Sequence, residues 1–206
     1  MSPEARPSAA RERILDTAFR LFYAHGVRAV GIDRIIAESG VAKATFYKHF
    51  AAKDDLVVAY LDKVDGIWSG QLHDAAAAAG DPRDQLVGMF DALGNACRRD
   101  GYRGCAFINT AAEYEAGTPV HDRTLAHKDA VRGWVQGLAT DAGALDPAAL
   151  ARALTLLLDG GLASGALDAR PDAAAVAKES AVALVAKIGP VNPSLTSFGT
   201  RPLWSI

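Results

Sequence analysis

Cysteine is scarce in this sequence, which holds only Cys97 and Cys105 among its 206 residues. Two cysteines are too few for a disulfide scaffold, and neither lies in a CxxC pair or a histidine-rich cluster that would indicate a bound metal. We therefore expect free thiols and neither a metal nor another cofactor. The two cysteines flank the loop RRDGYRG, so an oxidative disulfide between them is the alternative hypothesis.

The sequence also lacks the alternation of apolar and polar residues that is typical of strands, and only 7% of its residues are aromatic. Half of the residues are apolar, with alanine, leucine and valine dominant, and this composition favours helix over strand. We predict an all-α protein. We find no apolar run long enough to cross a bilayer and no export signal at the N-terminus, so we expect a cytoplasmic protein that has no membrane partner.

A strong excess of positive charge is absent as well, because the net charge of the chain is −2. The net charge on its own argues against a general nucleic-acid binder. The charges are unevenly distributed, with nine lysines and arginines against seven acidic residues in positions 1–60. This local excess could neutralise phosphate groups.

Apolar spacing and glycines predict a helix-turn-helix near the N-terminus. Ser8 is placed to cap a first helix, and Gly26 to end it. A short helix over residues 32–39 stops at Gly40, and a third helix follows over residues 43–50. Two short helices joined through SGVA form the helix-turn-helix pattern.

We predict three parts: an N-terminal unit (residues 9–53), a C-terminal helical unit (residues 54–188) and an irregular tail (residues 189–206) in which three prolines lie. The C-terminal unit opens with a long helix that runs to about residue 79 and bridges the two units. Further glycine and proline breaks divide the rest of it into helices near 83–99, 105–116, 120–142, 147–167 and 172–187.

The stretch GIDRIIAESGVAKATFYKHFAAKDDLV, residues 31–57, resembles the DNA-binding segment of the TetR (tetracycline-repressor) family. The preceding RERILDTAFRLFYAHGVRAV is similar to the first helix of that family. The resemblance implies a regulator, in most cases a repressor, that binds palindromic operator DNA as a homodimer and leaves it when a small molecule binds. It implies a three-helix DNA-binding domain followed by a larger helical domain for ligand binding and dimerisation.

A helix in the major groove presents its outward side chains to bases and phosphates. We expect Lys43, Ala44, Thr45 and Lys48 to face the bases, and the resemblance implies that Tyr47, His49 and Lys53 hold the DNA backbone. The sequence departs from the family pattern where Gly31 and Ala42 replace hydroxyl caps and where Ala51-Ala52 replaces Pro-Ser. A missing cap costs about 1 kcal/mol, enough to loosen a short helix.

The resemblance implies a ligand cavity and a dimer interface in the C-terminal unit. Segment 147–167 carries a wide leucine face beside several glycines, which allow close helix approach. Dimer contacts are predicted at Leu154, Leu158, Leu162, Val182 and Val185, with intrasubunit core as the alternative for both segments. Contacts to a partly apolar effector are predicted at Trp68, Leu72, Phe90, Phe107, Asn109, Tyr114, His127 and Trp134, with ordinary core packing as the alternative for each.

Two other classes of function are weighed. An enzyme has no support, because the chain contains no GxSxG elbow, phosphate-binding glycine loop, HExxH or paired carboxylates. A helical adaptor that has lost DNA binding is suggested by the missing caps at Gly31 and Ala42. The retained basic and aromatic residues argue against the adaptor, namely Lys43, Tyr47, Lys48 and Lys53.

Overall fold

The computed structural model of the chain describes residues 8–168 and 172–188, and the regular structure in these ranges is entirely α-helical. The predicted arm at 1–7 and tail at 189–206 lie outside the described residues. The all-α prediction is confirmed. The helices are α1 (Ala9–His25), α2 (Ile32–Ser39), α3 (Lys43–His49), α4 (Lys53–Ala77), α5 (Pro82–Gly88), α6 (Phe90–Cys97), α7 (Ala106–Ala111), α8 (Pro119–Asp141), α9 (Pro147–Leu167) and α10 (Ala173–Val185).

The first three helices form the N-terminal unit, in which α2 and α3 are the predicted helix-turn-helix. The Ser8 hydroxyl accepts the N–H of Arg11 at 3.2 Å and caps α1 as expected. Gly40 closes α2 with a left-handed φ of +65°, a conformation that glycine adopts without strain. Ile35 of α2 and Phe46 of α3 are fully buried in the core beneath these helices.

The starts of α2 and α3 lack side-chain caps, as the sequence predicts for Gly31 and Ala42. The next helix is better supported, because the Asp55 carboxylate accepts the N–H of Ala52 at 2.9 Å. An acidic side chain in a first turn also complements the helix dipole. Helix α4, which follows α3 along the chain, therefore has a side-chain hydrogen bond at its start that α2 and α3 lack.

Helix α4 packs against both units of the chain. Its Tyr60 ring lies edge-on to Phe19 and Phe22 of α1, with ring centroids 5.8 and 5.5 Å apart. Further along, α4 contacts α5, α6 and α8 of the C-terminal unit. This aromatic packing crosses the predicted boundary between residues 53 and 54. The division of the chain into two domains at that boundary therefore remains a prediction.

Two predicted helices differ from those observed. The segment expected over 83–99 breaks at Met89, where the N–H of Ala92 bonds to the Met89 carbonyl and the chain tightens to an i+3 spacing. The segment expected over 105–116 ends at Ala111. It ends early because the next residues turn toward the N-terminal unit, where Glu113 accepts hydrogen bonds from the backbone of the α1–α2 turn.

Most of the predicted dimer contacts lie in the core of the subunit, as in the alternative that the sequence left open. Leu154, Leu158, Leu162 and Val185 are all buried, because α9 packs between α8, α10 and α6. Val182 alone among the five predicted residues is exposed. The burial of these leucines favours the intrasubunit-core alternative for them, and the position of the dimer interface stays a prediction.

A close approach of α9 to α6 explains two of its glycines. A Cβ at Gly161 would lie 2.5 Å from a Leu93 methyl group, and one at Gly165 would lie 2.7 Å from the Cys97 Sγ. Larger side chains would push the two helices apart. These glycines serve packing within the subunit, which is the alternative that the sequence left open.

Helix α9 also corrects the expectation that the sequence contains no apolar segment long enough to cross a bilayer. Its 21 residues reach a mean hydropathy of 1.3 over 18 of them, so length and composition alone would allow it to span a membrane. The core helix of a soluble protein passes the same test. Leu154 and Leu158 on this helix are buried against neighbouring helices, while 28% of the 18-residue window is buried inside the subunit.

Candidate functional site

The outer face of α3 is basic and aromatic. Phe46 anchors the helix in the core, whereas Tyr47 is 45% exposed. Lys43, Ala44 and Lys48 are exposed with it, while Thr45 and His49 are half-buried. We call the exposed side chains of Lys43, Ala44, Tyr47 and Lys48 the α3 surface.

Contacts with α1 and α2 hold both ends of α3. Lys43 Nζ lies 3.5 Å from a carboxylate oxygen of Asp33, a long and exposed ion pair that contributes little stability. At the other end, His49 Nε2 lies 3.0 Å from the Ser8 hydroxyl. The Arg11 guanidinium lies 5.2 Å above the centre of the buried Phe50 ring, within cation–π range.

Sequence reasoning missed the roles of Ser8 and Arg11 in positioning α3. Ser8 was recognised as a helix cap, but its contact with His49 spans 41 positions. A local spacing pattern carries no signal for such a contact. The end of α3 is therefore tied to the first turn of α1.

Lys53 lies half-buried at the start of α4. Burial lowers its pKa, the Arg28 guanidinium acts in the same direction, and the carboxylates of Glu113 and Asp54 oppose them. The lysine is thus part of a charged cluster where the two units meet. Its partial burial sets it apart from the exposed side chains of the α3 surface.

A cavity of about 270 Å³ lies between α1, α4, α6, α9 and the loop before α7. Trp68 and Phe107, both predicted from the sequence, line it. We call it the aromatic cavity because five of its lining residues carry aromatic rings. Its lining consists of Phe19, Tyr23, Val64, Ile67, Trp68, Gln71, Ala96, Arg99, Asp100, Tyr102, Gly104, Cys105, Ala106, Phe107 and Leu162.

The structure places four of the predicted ligand contacts in other surroundings. Leu72 and Phe90 are fully buried core side chains. The Tyr114 hydroxyl donates to an Asp54 carboxylate oxygen at 3.0 Å, and the Trp134 ring packs against His73 with centroids 4.5 Å apart. For these four, packing or a structural hydrogen bond replaces the expected ligand contact.

Asn109 borders a second, wider cleft of about 610 Å³ next to the α1–α2 turn. Its side-chain amide donates to the Arg103 carbonyl at 2.8 Å, which fixes the loop before α7. Asn109 therefore supports the wall between the two cavities and does not line the aromatic cavity.

His127 lies directly behind the aromatic cavity. Its imidazole stacks on the Phe107 ring, with centroids 3.6 Å apart and planes within 5°, so it contacts a cavity wall without lining the cavity itself. Asp65 accepts hydrogen bonds from His127 Nδ1 and Arg123 Nη2, each at 2.6 Å, and from the Ser69 hydroxyl at 3.0 Å. Helices α4 and α8 are joined by this network.

The network shifts two pKa values. Burial lowers the pKa of His127, although the Asp65 carboxylate acts in the opposite direction. For Asp65, burial would raise the pKa, but hydrogen bonds from Arg123 and His127 hold it below its ordinary value. At neutral pH the network therefore contains an ionised carboxylate, a guanidinium and a neutral imidazole.

Two tyrosines that sequence reasoning missed line the aromatic cavity and bind its backbone. The Tyr23 hydroxyl donates to the Gly104 carbonyl at 3.2 Å and accepts the Arg103 N–H at 3.0 Å. The Tyr102 hydroxyl donates to the Leu162 carbonyl at 2.8 Å. Tyr23 was missed because α1 was assigned wholly to DNA binding, whereas its C-terminal half also forms a cavity wall.

Both cysteines are free in the structure, and Cys105 lines the aromatic cavity. Burial raises the pKa of the Cys105 thiol. A buried thiol with a raised pKa is a poor nucleophile at neutral pH. The inert thiol is therefore better supported at Cys105 than the redox alternative.

The arrangement of helices and the sequence both match known proteins. The family described as bacterial regulatory proteins, tetR family, matches residues 14–60, which span α1 to the first part of α4. A TetR-family transcriptional regulator from Streptomyces coelicolor is 37% identical, covers 88% of this chain and 96% of its own, and superposes with a TM-score of 0.82. This chain belongs to the TetR family.

Two curated relatives of this TetR-family chain match over shorter stretches. The HTH-type transcriptional activator FasR of Mycolicibacterium smegmatis is 32% identical over 59% of this chain and 56% of its own length. The HTH-type transcriptional regulator LmrA of Bacillus subtilis is 33% identical over 41% of this chain and 45% of its own. The chain thus spans about half the length of these curated relatives.

Proposed function

We propose that this TetR-family chain is a transcriptional repressor that binds palindromic operator DNA as a homodimer and leaves it when a small molecule binds. The observation that carries the proposal is the α3 surface, where Lys43, Tyr47 and Lys48 are exposed on a helix whose opposite side is buried at Phe46. Basic and hydroxyl-bearing side chains on such a helix suit phosphates and base edges in a major groove.

The homodimer supplies the second half of the DNA contact. Helix α3 has only seven residues, and two copies spaced one DNA turn apart read a palindrome that one copy cannot. We place the interface on the outer faces of α9 and α10, where Leu156 is 72% exposed and Val176 is 56% exposed. Gly160 lies exposed between them along a groove, and it allows a helix of the second copy to approach closely.

The aromatic cavity is the proposed effector site. Its walls come from both units, since Phe19 and Tyr23 belong to α1 and Trp68 and Phe107 to the C-terminal unit. A ligand that binds one spacing of the two α3 surfaces better than the other shifts the dimer toward that spacing. The hydrogen bonds of Tyr23 to the loop before α7 give the cavity a direct connection to the DNA-binding helices.

The remaining assignments follow from this role. A regulator of this kind acts on chromosomal DNA, and we place it in the cytoplasm. We assign it no catalytic activity, since its relatives are transcriptional regulators. FasR is named an activator, so we distinguish repression from activation with a reporter gene under the operator, where deletion of the regulator raises expression if it represses.

The test compares DNA binding by the wild type with that of two α3 variants, Tyr47→Ala and Lys48→Ala, on a labelled fragment from upstream of the coding gene. Both variants should lose specific binding while remaining dimeric by sedimentation. Arg132→Ala, a charge removal on α8, is the matched control and should bind like the wild type. Unchanged affinity in both α3 variants would reject the proposed surface.

A further inference from the structure

We propose that the aromatic cavity takes a compact, planar aromatic anion, with the ring system inside and the anionic group at the Arg99 side of the opening. This inference rests on the effector role proposed above. It goes further by naming the chemical class of the ligand, which follows from the size, the walls and the charged rim of the cavity.

The size of the cavity limits the ligand. Its volume of about 270 Å³ lies just below the roughly 300–1,000 Å³ range of small-molecule pockets. A long acyl chain or a large polycyclic compound would not fit without movement of the helices. A body of two or three rings matches the available space.

The walls favour an aromatic body. Phe19, Tyr23, Trp68, Tyr102 and Phe107 present five aromatic rings to one small volume, and aromatic rings pack favourably against one another, both offset and edge to face. Both tyrosine hydroxyls already bond to backbone groups. The tyrosines therefore contribute ring surface, and the interior offers few polar partners.

The charge at the rim favours an anion. The loop RRDGYRG at residues 98–104 contains three arginines and one aspartate, so it is net positive. Arg98 donates to the neutral side chain of Asn95 and Arg103 to the carbonyl of Ala24, and neither bond cancels a charge. Arg99 is exposed and lines the cavity.

Two other groups shape the polar side of the cavity. Asp100 also lines it and opposes an anion, so Arg99 and Asp100 balance within the lining and the net positive charge comes from Arg98 and Arg103 of the same loop, which lie outside the lining. Gln71 of α4 supplies a neutral amide, which can donate a hydrogen bond to an anionic oxygen. Arg99 and Gln71 together provide the positive charge and the donor that an aromatic anion requires.

The test uses two fluorescent probes with the same ring body: anionic anilinonaphthalene sulfonate and uncharged phenylnaphthylamine. The wild-type dimer should bind the anionic probe more tightly. Arg99→Gln should weaken the anionic probe about fivefold, the upper range for an exposed ion pair, and leave the neutral probe within about twofold. Arg98→Gln is the matched control: it removes the same charge from the same loop outside the cavity lining, so it should weaken the anionic probe by no more than about twofold and leave the neutral probe unchanged.

Two further variants keep the inference falsifiable. Gln71→Glu adds a carboxylate to the lining and should weaken only the anionic probe. Ala96→Leu should fill the cavity and weaken both probes, which separates the cavity from other apolar surfaces. If Ala96→Leu folds and leaves both affinities unchanged, the probes bind elsewhere and the inference is overturned.

The outcome for the ligand class is separable from the proposed function. Equal affinity of the wild type for both probes, or equal loss of both in Arg99→Gln, would overturn the anionic class. Operator binding by the same variants is measured in parallel, because none of these substitutions lies on the α3 surface. If the anionic class fails but operator binding is intact and depends on Lys48, the proposed regulatory function still holds. If the wild type shows no specific DNA binding, the proposed regulatory function itself is rejected.

Discussion

Glu113 accepts the backbone N–H of Val27 through one carboxylate oxygen at 3.1 Å, and its other oxygen accepts the N–H of Arg28 at 2.5 Å. Glu113 follows α7, whereas Val27 lies in the turn between α1 and α2. A Cβ at Gly26 would lie 2.9 Å from the Glu113 carboxylate, so the turn approaches it closely. This clamp ties the turn that precedes the helix-turn-helix to the loop that follows α7.

Removal of the clamp should loosen the link between the two units. In Glu113→Ala, two backbone N–H groups lose their acceptor, and the free energy of unfolding should fall by about 1–3 kcal/mol. Urea unfolding at fixed protein concentration measures this change. Glu115→Ala, an exposed acidic residue two positions away, is the control, and a similar loss in both variants would contradict the role of the clamp.

Tyr23→Phe should separate ligand binding from DNA release. The substitution keeps the aromatic wall of the cavity but removes the hydroxyl that bonds to Gly104 and Arg103. We expect the aromatic probes to bind within about twofold of the wild type, since one ring face replaces another, and the effector to release operator DNA less completely. Fluorescence titration measures the first and competition for labelled operator the second; full release by the variant would show that the hydroxyl does not transmit binding.

Leu158 and Leu156 lie on the same helix, but substitutions there should have different effects, the first on the stability of the subunit and the second on dimerisation. Leu158 is 3% exposed, and Leu158→Ala should lower the free energy of unfolding by about 2–5 kcal/mol. Leu156 is exposed, so Leu156→Glu should leave each subunit folded while weakening the dimer. Circular dichroism and sedimentation distinguish the two effects, and a Leu156→Glu protein that stays dimeric at low concentration would place the interface elsewhere.

Acid should destabilise the protein through His127. Because burial lowers the pKa of His127, the unfolded chain takes up a proton below about pH 6.5 while the folded chain does not. Stability from this group is therefore lost as the pH falls below about 6.5. His127→Gln should flatten the dependence of the unfolding free energy on pH between about pH 7 and pH 5, as measured by urea unfolding; an unchanged slope would contradict the assignment.

The helix-turn-helix could be predicted because its signals are local. Ser8 caps the helix it precedes, Gly40 ends α2 in the left-handed conformation, and Phe46 of α3 lies four positions before Phe50, the residue that ends the helix. Each signal acts within a few residues of its effect. The missing caps at Gly31 and Ala42 could be predicted for the same reason.

The C-terminal unit was predicted less well because its side chains pair over long distances in sequence. Both Leu156 and Leu158 suit an apolar face, and only the packing of α9 between α6, α8 and α10 decides which is buried. Trp68 and Phe107, two of the predicted effector contacts, line the aromatic cavity, but Tyr23 was missed because its partners lie about 80 positions away. Such pairings depend on how whole helices are arranged.

Selection of binding sites from a random duplex DNA library tests the central claim most directly. The wild-type protein should enrich a palindrome whose half-sites lie about one helical turn apart, with an affinity that falls as salt rises because phosphate contacts release counterions. Lys48→Ala should fail to enrich that site while remaining dimeric. If the wild type binds all duplexes alike, or if Lys48→Ala enriches the same palindrome with equal affinity, the account of the α3 surface is contradicted.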